Sequence, residues 1–315
     1  MKASRSLPPY NEGVSATPHP ASTTSHASRT PALRNADLHC HSTVSDGTLS
    51  PELIARRAAA NGVDLWALTD HDEIGGQAAA RAAAAAHGMA WLSGVEISVS
   101  FAGETVHIVG LGFDTDHPAL VDGLADVRSG RERRAREMGD ELARVGIRGA
   151  YDGALKYVGN PDLISRTHFA RYLVEAGVCN DTNEVFRRYL TPGKPGFVPH
   201  RWAGLGDAVN WIDAAGGIAV IAHPGRYRFS ATEEYALFSE FKAHGGQGVE
   251  VVTGSHSVSE YGKYADMAGE FDLYASRGSD FHSPGESRID LGTLPDLRAD
   301  LRPVWQALAH RIVHA

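Results

Sequence analysis

The sequence has little cysteine, no long apolar run and no excess of positive charge, and each absence excludes a class of protein. Its 315 residues contain two cysteines, Cys40 and Cys179, which are too few for a disulfide framework and suit a reducing cytoplasm. No apolar run approaches the roughly 20 residues of a membrane-spanning helix. The net charge of −8 argues against a general affinity for long nucleic acid or for anionic membranes.

The first 34 residues differ in composition from the rest of the chain. They are rich in Ser, Thr, Pro and Ala and have no hydrophobic periodicity, which is typical of a disordered segment. They also lack the apolar stretch of a secretory signal. We therefore expect residues 1–34 to be a dispensable tail, with the folded protein beginning near residue 35.

From residue 35, patterns typical of strands and helices alternate. Short apolar runs that predict buried strands lie at 36–41, 63–70, 89–97, 104–113, 216–224, 246–252 and 271–282. A helix is predicted at 50–62, because Ser50 can cap it, Pro51 suits its first position and Gly62 suits its end. The alanine-rich segment 76–88 predicts another. This alternation indicates an α/β fold with a parallel sheet or barrel.

The alternation breaks between residues 114 and 200, where only helical patterns occur. We predict a small inserted helical domain there, which separates a first part of the barrel (35–113) from a second part (201–315). Because the insertion begins after one strand and ends before the next, it would lie over the mouth of a site at the strand ends. Substrate specificity is usually placed in such segments.

Histidine is abundant, with 16 residues, and it recurs with carboxylates near the carboxyl ends of the predicted strands. His39 and His41 share one face of a strand, whereas Cys40 points to the other face, where we expect it to pack behind the site. The candidate ligands are His39, His41, Asp46, His71, Glu96, His107, His223, Asp280 and His282. Parallel α/β folds form their active sites at these strand ends, so the recurrence predicts a metal centre.

The motifs DLHCHSTVSDG, LTDHD, GVE, VHIVG, AHPG and GSDFH resemble, in order and character, those of the PHP (polymerase and histidinol phosphatase) superfamily. The resemblance covers about residues 35–315. Within the insertion, SRTHFAR and YLTPGKPG are similar to segments of the bacterial nucleoside 3′,5′-bisphosphate phosphatases. The resemblance implies a distorted (β/α)7 barrel with two to three divalent ions, usually manganese, with iron or zinc as alternatives.

The resemblance also implies how the ligands divide among three ions. His39, His41, Glu96 and Asp280 would hold one; Glu96, His107 and His223 the second; and Asp46, His71 and His282 the third. Imidazoles and carboxylates without thiolates suit Mn²⁺, Fe²⁺ or Zn²⁺ in a reactive rather than a structural site. Three divalent ions and three carboxylates would leave the pocket with a charge of about +3, which favours a phosphate monoester dianion.

The implied reaction is metal-assisted hydrolysis of the 3′-phosphate of a nucleoside 3′,5′-bisphosphate such as pAp. The predicted catalytic residues are Asp46, His71, Glu96 and His168, and the general acid is either His168 or a metal-bound water. The predicted substrate contacts are Ser45, Arg128, Arg131, Arg166 and His168. Arg128 and Arg131 lie three residues apart on one helix face, and Arg166 lies in the first turn of a helix, where backbone N–H groups favour anions.

Two other classes of function are compatible with these motifs. One is a different hydrolase on the same barrel, either a 5′→3′ exonuclease acting on short RNA or a sugar or histidinol phosphatase. The other is a non-catalytic, metal-binding PHP module of the kind attached to DNA polymerases, which the complete set of ligands disfavours. An acidic chain without an extended basic groove favours a small phosphorylated nucleotide as its partner, with no long nucleic acid and no membrane.

Removing residues 1–34 should leave hydrolytic activity and the melting temperature nearly unchanged, because a segment of this composition cannot bury a core. Both quantities can be compared between the full-length and the truncated chain. A large loss of either would mean that the segment contributes to the fold.

Overall fold

The computed structural model describes residues 35–315, so the predicted N-terminal tail lies outside the described residues. In this range the chain is a mixed α/β structure with two sheets. The first sheet is parallel and contains, in spatial order, β1 (Ala36–Asp37), β2 (Leu65–Ala67) and β3 (Ala90–Leu92). The second contains, in spatial order, β4 (Gly94–Phe101), β5 (Glu104–Leu111), β6 (Ile218–Ile221), β7 (Gly248–Thr253) and β8 (Tyr274–Gly278).

Helices follow most strands of the described chain. They are α1 (Pro51–Ala60), α2 (Gln77–Ala86), α3 (Pro118–Arg128), α4 (Arg131–Arg144), α5 (Ala150–Leu155), α6 (Arg166–Glu175), α7 (Thr182–Val185), α8 (Leu205–Ala214), α9 (Ala231–Ala243), α10 (Val258–Glu270) and α11 (Val304–Ala307). Ser50 caps α1 by accepting a hydrogen bond from the backbone N–H of Leu53, as its sequence predicts. None of the described helices is both long and apolar enough to cross a membrane.

Strand direction differs from the parallel arrangement that the sequence predicts. β5 pairs antiparallel with both β4 and β6, whereas β6, β7 and β8 are parallel. The cause is the two-residue turn at Ala102 and Gly103, whose φ angles of 47° and 81° are those of a tight hairpin. The predicted strand 89–97 is also divided, because β3 and β4 belong to different sheets.

The two sheets meet on both sides of the predicted ligands. On one side, the backbone N–H of Leu38 donates to the carbonyl oxygen of Arg277 over 3.0 Å, and Cys40 forms a parallel bridge with Phe281. On the other side, His71 forms a parallel bridge with Glu96. A few backbone hydrogen bonds therefore join the sheets on each side, and the closed seven-stranded barrel stays a prediction.

Four clusters of buried apolar side chains stabilise this arrangement. The largest lies between the second sheet and the helices α8, α9 and α10, and two smaller ones pack on the first sheet. In one of these, the Sγ atom of Cys40 accepts a hydrogen bond from Nε1 of Trp66, so the thiol packs behind the strand as expected. The fourth cluster is formed by the helical segment alone, between Ala135 and Val198. No strand occurs between 114 and 200 in the described chain, in agreement with the helical pattern.

The contact between β8 and the chain after β1 requires a glycine. A Cβ atom at Gly278 would lie 2.3 Å from Cβ and 2.6 Å from the backbone nitrogen of His39. These distances are far below van der Waals contact, and the nearby atoms belong to backbone and a Cβ, which cannot rotate away. Gly278 therefore lets the backbone of β8 approach the segment that carries His39 and His41.

Replacing Gly278 with alanine should lower the free energy of unfolding by about 1–3 kcal/mol, because the added methyl group overpacks this contact. Denaturant unfolding measures the change. Gly262→Ala is a matched control, since a Cβ at this exposed position of α10 meets no atom within 4 Å. We expect the control to keep or slightly raise stability, by up to about 1 kcal/mol. Equal stability of Gly278→Ala and the parent would contradict the proposed close contact.

Candidate metal centre

The nine predicted ligands lie together at one edge of the two sheets. Their donor atoms form four overlapping groups, in each of which all atoms lie within 4.8 Å of one another. Most of these residues are in the loops directly after β1, β2, β6 and β8, as the sequence predicts. Glu96 and His107 instead lie within β4 and β5. His107 reaches the same edge from the first half of its strand because β5 runs in the opposite direction.

One group converges on a single point. The Nε2 atoms of His39 and His41 are 3.2 Å apart, and Oε2 of Glu96 lies 3.3 and 3.2 Å from them. Oδ1 of Asp280 lies 3.6 and 3.3 Å from the same two nitrogens. Ligands with bonds of about 2.1 Å to one ion are themselves about 3.0–3.5 Å apart, so this spacing is that of a ligand set.

Glu96 connects this group to a second one. Its other oxygen, Oε1, lies 2.9 Å from Nδ1 of His107 and 2.9 Å from Nε2 of His223. Because its two oxygens face different groups, this carboxylate is suited to bridge two ions. A third group surrounds Oδ1 of Asp46, which lies 3.4 Å from Nε2 of His282 and 3.9 Å from Nε2 of His71.

Unpaired polar atoms test whether these residues fit metal ions. Thirteen buried side-chain nitrogen or oxygen atoms of the described residues have no hydrogen-bond partner, and seven of them belong to the nine predicted ligands. These seven are on His41, Asp46, His71, Glu96, His107, His223 and Asp280. A buried polar atom without a partner is costly, so their concentration here requires another partner. Divalent cations satisfy imidazole nitrogens and carboxylate oxygens together, and the residues therefore fit metal ions.

The charges of the cluster are strongly coupled. Burial would raise the pKa of Asp46, Glu96 and Asp280, but the surrounding imidazoles hold it well below the usual value. Burial would lower the pKa of His41, but the adjacent carboxylates of Asp280 and Glu96 raise it to about 10. The pKa of His39 is likewise raised by Glu250 and Glu96, whereas burial lowers the pKa of His223 to about 3 and that of His282 to about 4, so imidazole protons balance the carboxylates only in part. Divalent ions can replace those protons, so metal binding here would release protons.

Glu250 was missed by sequence reasoning. This buried residue of β7 accepts a hydrogen bond from Nδ1 of His39 over 2.7 Å with Oε1. Its Oε2 accepts the backbone N–H of His223 over 2.7 Å, where that residue has a positive φ of 27°. It therefore fixes the ring of His39 with Nε2 toward the cluster and holds a strained turn. The available signal was the segment GVE of β7, which repeats the GVE that carries Glu96.

The aspartates on either side of His71 bind neighbouring loops. Asp70 accepts hydrogen bonds from the backbone N–H and the hydroxyl of Ser42, both over 2.7 Å. It also accepts the hydroxyl of Ser45 over 2.6 Å. Asp72 accepts the backbone N–H of Ser98 over 2.6 Å. Asp70 thus fixes the loop after His41, and Asp72 fixes β4, the strand that carries Glu96.

A small cavity of about 100 Å³ opens beside the ligands. Of the predicted substrate contacts, Arg131 and Arg166 line it, whereas Ser45, Arg128 and His168 do not. The hydroxyl of Ser45 donates to Asp70, as described above. Arg128 donates to the carbonyl oxygen of Asp72 over 2.6 Å.

His168 is fully buried within the helical segment. Its Nδ1 accepts the backbone N–H of Ser165 over 3.0 Å in a capping box at the start of α6. Burial lowers the pKa of His168 to about 4, so its ring is neutral near pH 7. The hydroxyl of Ser165 lies 3.2 Å from this Nδ1 and 3.4 Å from Oδ2 of Asp46, and Ser165 does line the cavity.

The small cavity adjoins a larger one of about 910 Å³. Six residues line both, and they are Thr105, His107, Arg134, Arg166, Phe186 and Arg226. Arg134, Trp202 and Arg226 line the small cavity but were not predicted from the sequence. A ligand with one end at the cluster can therefore extend past several cationic side chains.

Replacing Glu250 with glutamine should weaken binding of Mn²⁺ by about 10–100-fold, because the amide holds the His39 ring less firmly and lowers its basicity. Competition with a chelator measures this affinity without turnover. Asp37→Asn is the matched control: Asp37 is also a buried carboxylate, but it accepts the backbone N–H groups of Ser279 and Gly292 and contacts no ligand ring. If Glu250→Gln bound Mn²⁺ as tightly as the parent, Glu250 would have no positioning role.

Known proteins match this chain in sequence over most of its length. The profile of the PHP domain matches residues 37–151. The chain is 54% identical over 281 residues to the 3′,5′-nucleoside bisphosphate phosphatase of Chromobacterium violaceum, covering 89% of this chain and 99% of that relative. It is 45% identical over 270 residues to a 5′-3′ exoribonuclease of Haemophilus influenzae, and this match covers 86% of this chain and 97% of that relative.

A solved structure from Bifidobacterium adolescentis, described as a candidate metal-dependent phosphoesterase, has a TM-score of 0.75 and 26% identity. The match covers 90% of this chain and 98% of that structure. The mixed α/β fold agrees with that solved structure, and the sequence matches cover nearly the whole described chain. This chain belongs to the PHP domain family.

Proposed function

We propose that the protein is a metal-dependent phosphatase that converts nucleoside 3′,5′-bisphosphates, such as pAp, to nucleoside 5′-monophosphates and phosphate. The observation that carries the proposal is that the cluster of nine ligands opens into a cavity lined by arginine side chains. A phosphoryl group at the cluster leaves the rest of the substrate beside these cations. The named activity of the Chromobacterium violaceum relative supports this substrate class.

In this proposal the cluster holds two to three ions with the ligand sets implied by the family motifs, and manganese is the proposed metal. Divalent ions bound there would polarise the scissile phosphate and lower the pKa of water. The chain itself orients the substrate. Arg226 lies 2.9 Å from Oδ2 of Asp280 and lines the cavity, so it can also contact a phosphoryl oxygen.

Protonation of the leaving 3′-oxygen requires a proton donor near the cluster. His168 was the sequence-based candidate, but its ring does not line the cavity. The Nδ1 atom of His168 accepts a hydrogen bond, so the neutral ring has no proton to pass through Ser165. We propose that His168 and Ser165 hold the start of α6 beside Asp46, and that a water molecule at the cluster would supply the proton.

The helical segment 114–200 is proposed to cap the cluster. Three polar contacts support this: Arg131 binds Asp72, Ser165 approaches Asp46, and Arg171 forms a two-point ion pair with Glu286 at 2.6 and 2.8 Å. Each joins the segment to a loop beside the ligands. The backbone bridges between the two sheets support the proposal of a distorted barrel beneath this segment.

The two cysteines are buried and form no disulfide bond, which suits the proposed cytoplasmic location.

A 5′→3′ exonuclease on short RNA is the second candidate. The larger cavity of about 910 Å³ could accept more than one nucleotide, and the Haemophilus influenzae relative is named an exoribonuclease. Both activities would use the same metal cluster. They differ in their products, because the phosphatase releases inorganic phosphate and the exonuclease releases mononucleotides.

With Mn²⁺ present, we expect inorganic phosphate release to be fastest from pAp among pAp, 3′-AMP, 5′-AMP, a short 5′-phosphorylated RNA and histidinol phosphate. Asp46→Ala and His71→Ala should abolish this release, because each removes a ligand, and metal analysis should find two to three ions in the parent. Mononucleotide release from RNA that outpaced phosphate release from pAp would favour the exonuclease. At most one bound ion per chain after Mn²⁺ loading would contradict the proposed cluster.

A further inference from the structure

The arginines that line the cavity beside the cluster divide into paired and unpaired cations. Arg131 forms an ion pair with Asp72 and donates to the hydroxyl of Ser98 over 3.3 Å. Arg226 pairs with Asp280. In contrast, no carboxylate of the described residues lies within 4.0 Å of the guanidinium groups of Arg134 and Arg166.

Arg134 is held in place without being neutralised. It projects from α4, is 7% exposed, and its Nε donates to the carbonyl oxygen of Val198 over 3.0 Å. Its guanidinium lies 5.2 Å from the ring centre of Trp202. Its two terminal nitrogens have no hydrogen bond to the described part of the chain. The group is therefore oriented by the protein and retains donors for a ligand.

Arg166, on α6, is half-buried and also lacks an ion-pair partner among the described residues. It is the first residue of α6, and its one hydrogen bond to the described residues is a long contact of 3.4 Å to the carbonyl oxygen of Leu190. Its guanidinium lies 5.8 Å from the ring centre of Phe186. The first turn of α6, a helix of 10 residues, adds backbone N–H groups that favour an anion.

The two unpaired charges make the ligand-free site unfavourable. Burial lowers the pKa of Arg134 to about 9, and repulsion from Arg166 and Arg131 adds to this effect. Burial likewise lowers the pKa of Arg166 to about 10, with added repulsion from Arg226, while the attraction of the more distant Glu104 acts in the opposite direction. Aromatic contacts stabilise a cation but do not cancel its charge. An unpaired buried charge is expensive for a fold, so a site that keeps the buried Arg134 beside the half-buried Arg166 without an acidic partner is suited to an anionic ligand.

The position of the pair indicates which anion. Arg134 and Arg166 line the small cavity together with the ligands Asp46, His71 and His107. They also line the larger cavity, so they lie where the two cavities join. A substrate with one phosphate at the cluster would therefore bring a second anionic group to this junction.

We propose that Arg134 and Arg166 together bind the phosphate that is not cleaved, so that they, and not Arg128 with Arg131, select nucleotides with a second phosphate. This inference rests on the proposed function. Arg128 and Arg131 instead hold the loop of Asp72 and thereby the cap. The guanidinium of Arg134 lies over the ring of Trp202, and that of Arg166 lies over the ring of Phe186. Both rings line the small cavity, so part of the nucleoside can pack on them.

Arg134→Gln tests the proposal, and Arg133→Ala is its matched control. Arg133 is the preceding residue of the same helix, its side chain is 76% exposed, and its nearest acidic partner is Glu137 at 4.0 Å. We expect Arg134→Gln to lower kcat/KM for pAp relative to 3′-AMP by about 10–100-fold, as for a lost charged hydrogen bond. Its affinity for 5′-AMP relative to adenosine, measured by calorimetry, should fall similarly. Arg133→Ala should change neither ratio.

Thermal melting separates binding from a structural role. If the Arg134 charge is unpaired without ligand, Arg134→Gln should keep or raise the melting temperature of the ligand-free protein and reduce the stabilisation by 5′-AMP. Should Arg134→Gln not fold, Arg166→Gln provides the same comparisons from the other half of the site.

Unchanged pAp/3′-AMP and 5′-AMP/adenosine ratios in both glutamine variants would overturn the proposal. So would a lower melting temperature with equal losses on both substrates, since that pattern would assign the arginines to the fold. Failure of the proposed function looks different: the parent would release no phosphate from pAp, whereas binding of 5′-AMP would still depend on Arg134.

Discussion

The burial of three carboxylates among six imidazoles is the constraint on which the rest of the structure depends. Unbalanced negative charges at this density would repel one another strongly in a poorly hydrated site. The cluster is stable only with counter-charges, as protons on the imidazoles or as divalent ions. Two further costs arise where so many predicted ligands lie together. Buried nitrogen and oxygen atoms lack hydrogen-bond partners, and the backbone of His223 and Asp280 has positive φ angles.

A second layer of side chains keeps these ligands in position. Glu250 holds His39 and the turn of His223, Asp70 holds the loop after His41, and Asp72 holds the backbone of Ser98 in β4. Asp72 also binds Arg131 of the helical segment. Because the same aspartate contacts β4 and α4, displacement of α4 would disturb the strand that carries Glu96.

The arginines near the cluster show that position in the sequence does not define the role of a cation. Arg131 and Arg134 are one turn apart on α4, and both guanidiniums lie near Trp202, at 4.6 and 5.2 Å. Arg131 pairs with Asp72 and thereby holds α4 against the loop after β2. Arg134 has no acidic partner among the described residues, so its terminal nitrogens can bind an anion. A relative that kept the cluster but altered Arg134 or Arg166 would be expected to prefer a substrate without a second phosphate.

The alternation of strands and helices, the helical segment and the nine candidate ligands could be predicted from the sequence, because apolar periodicity and residues next to strand ends are local properties. The sequence did not determine the direction of β5, which the turn at Ala102 and Gly103 reverses, or the role of Glu250, which lies 211 residues from His39. It also could not distinguish Arg131 from Arg134. The partner of Arg131 is 59 residues away, and only the tertiary structure decides which buried charge is paired.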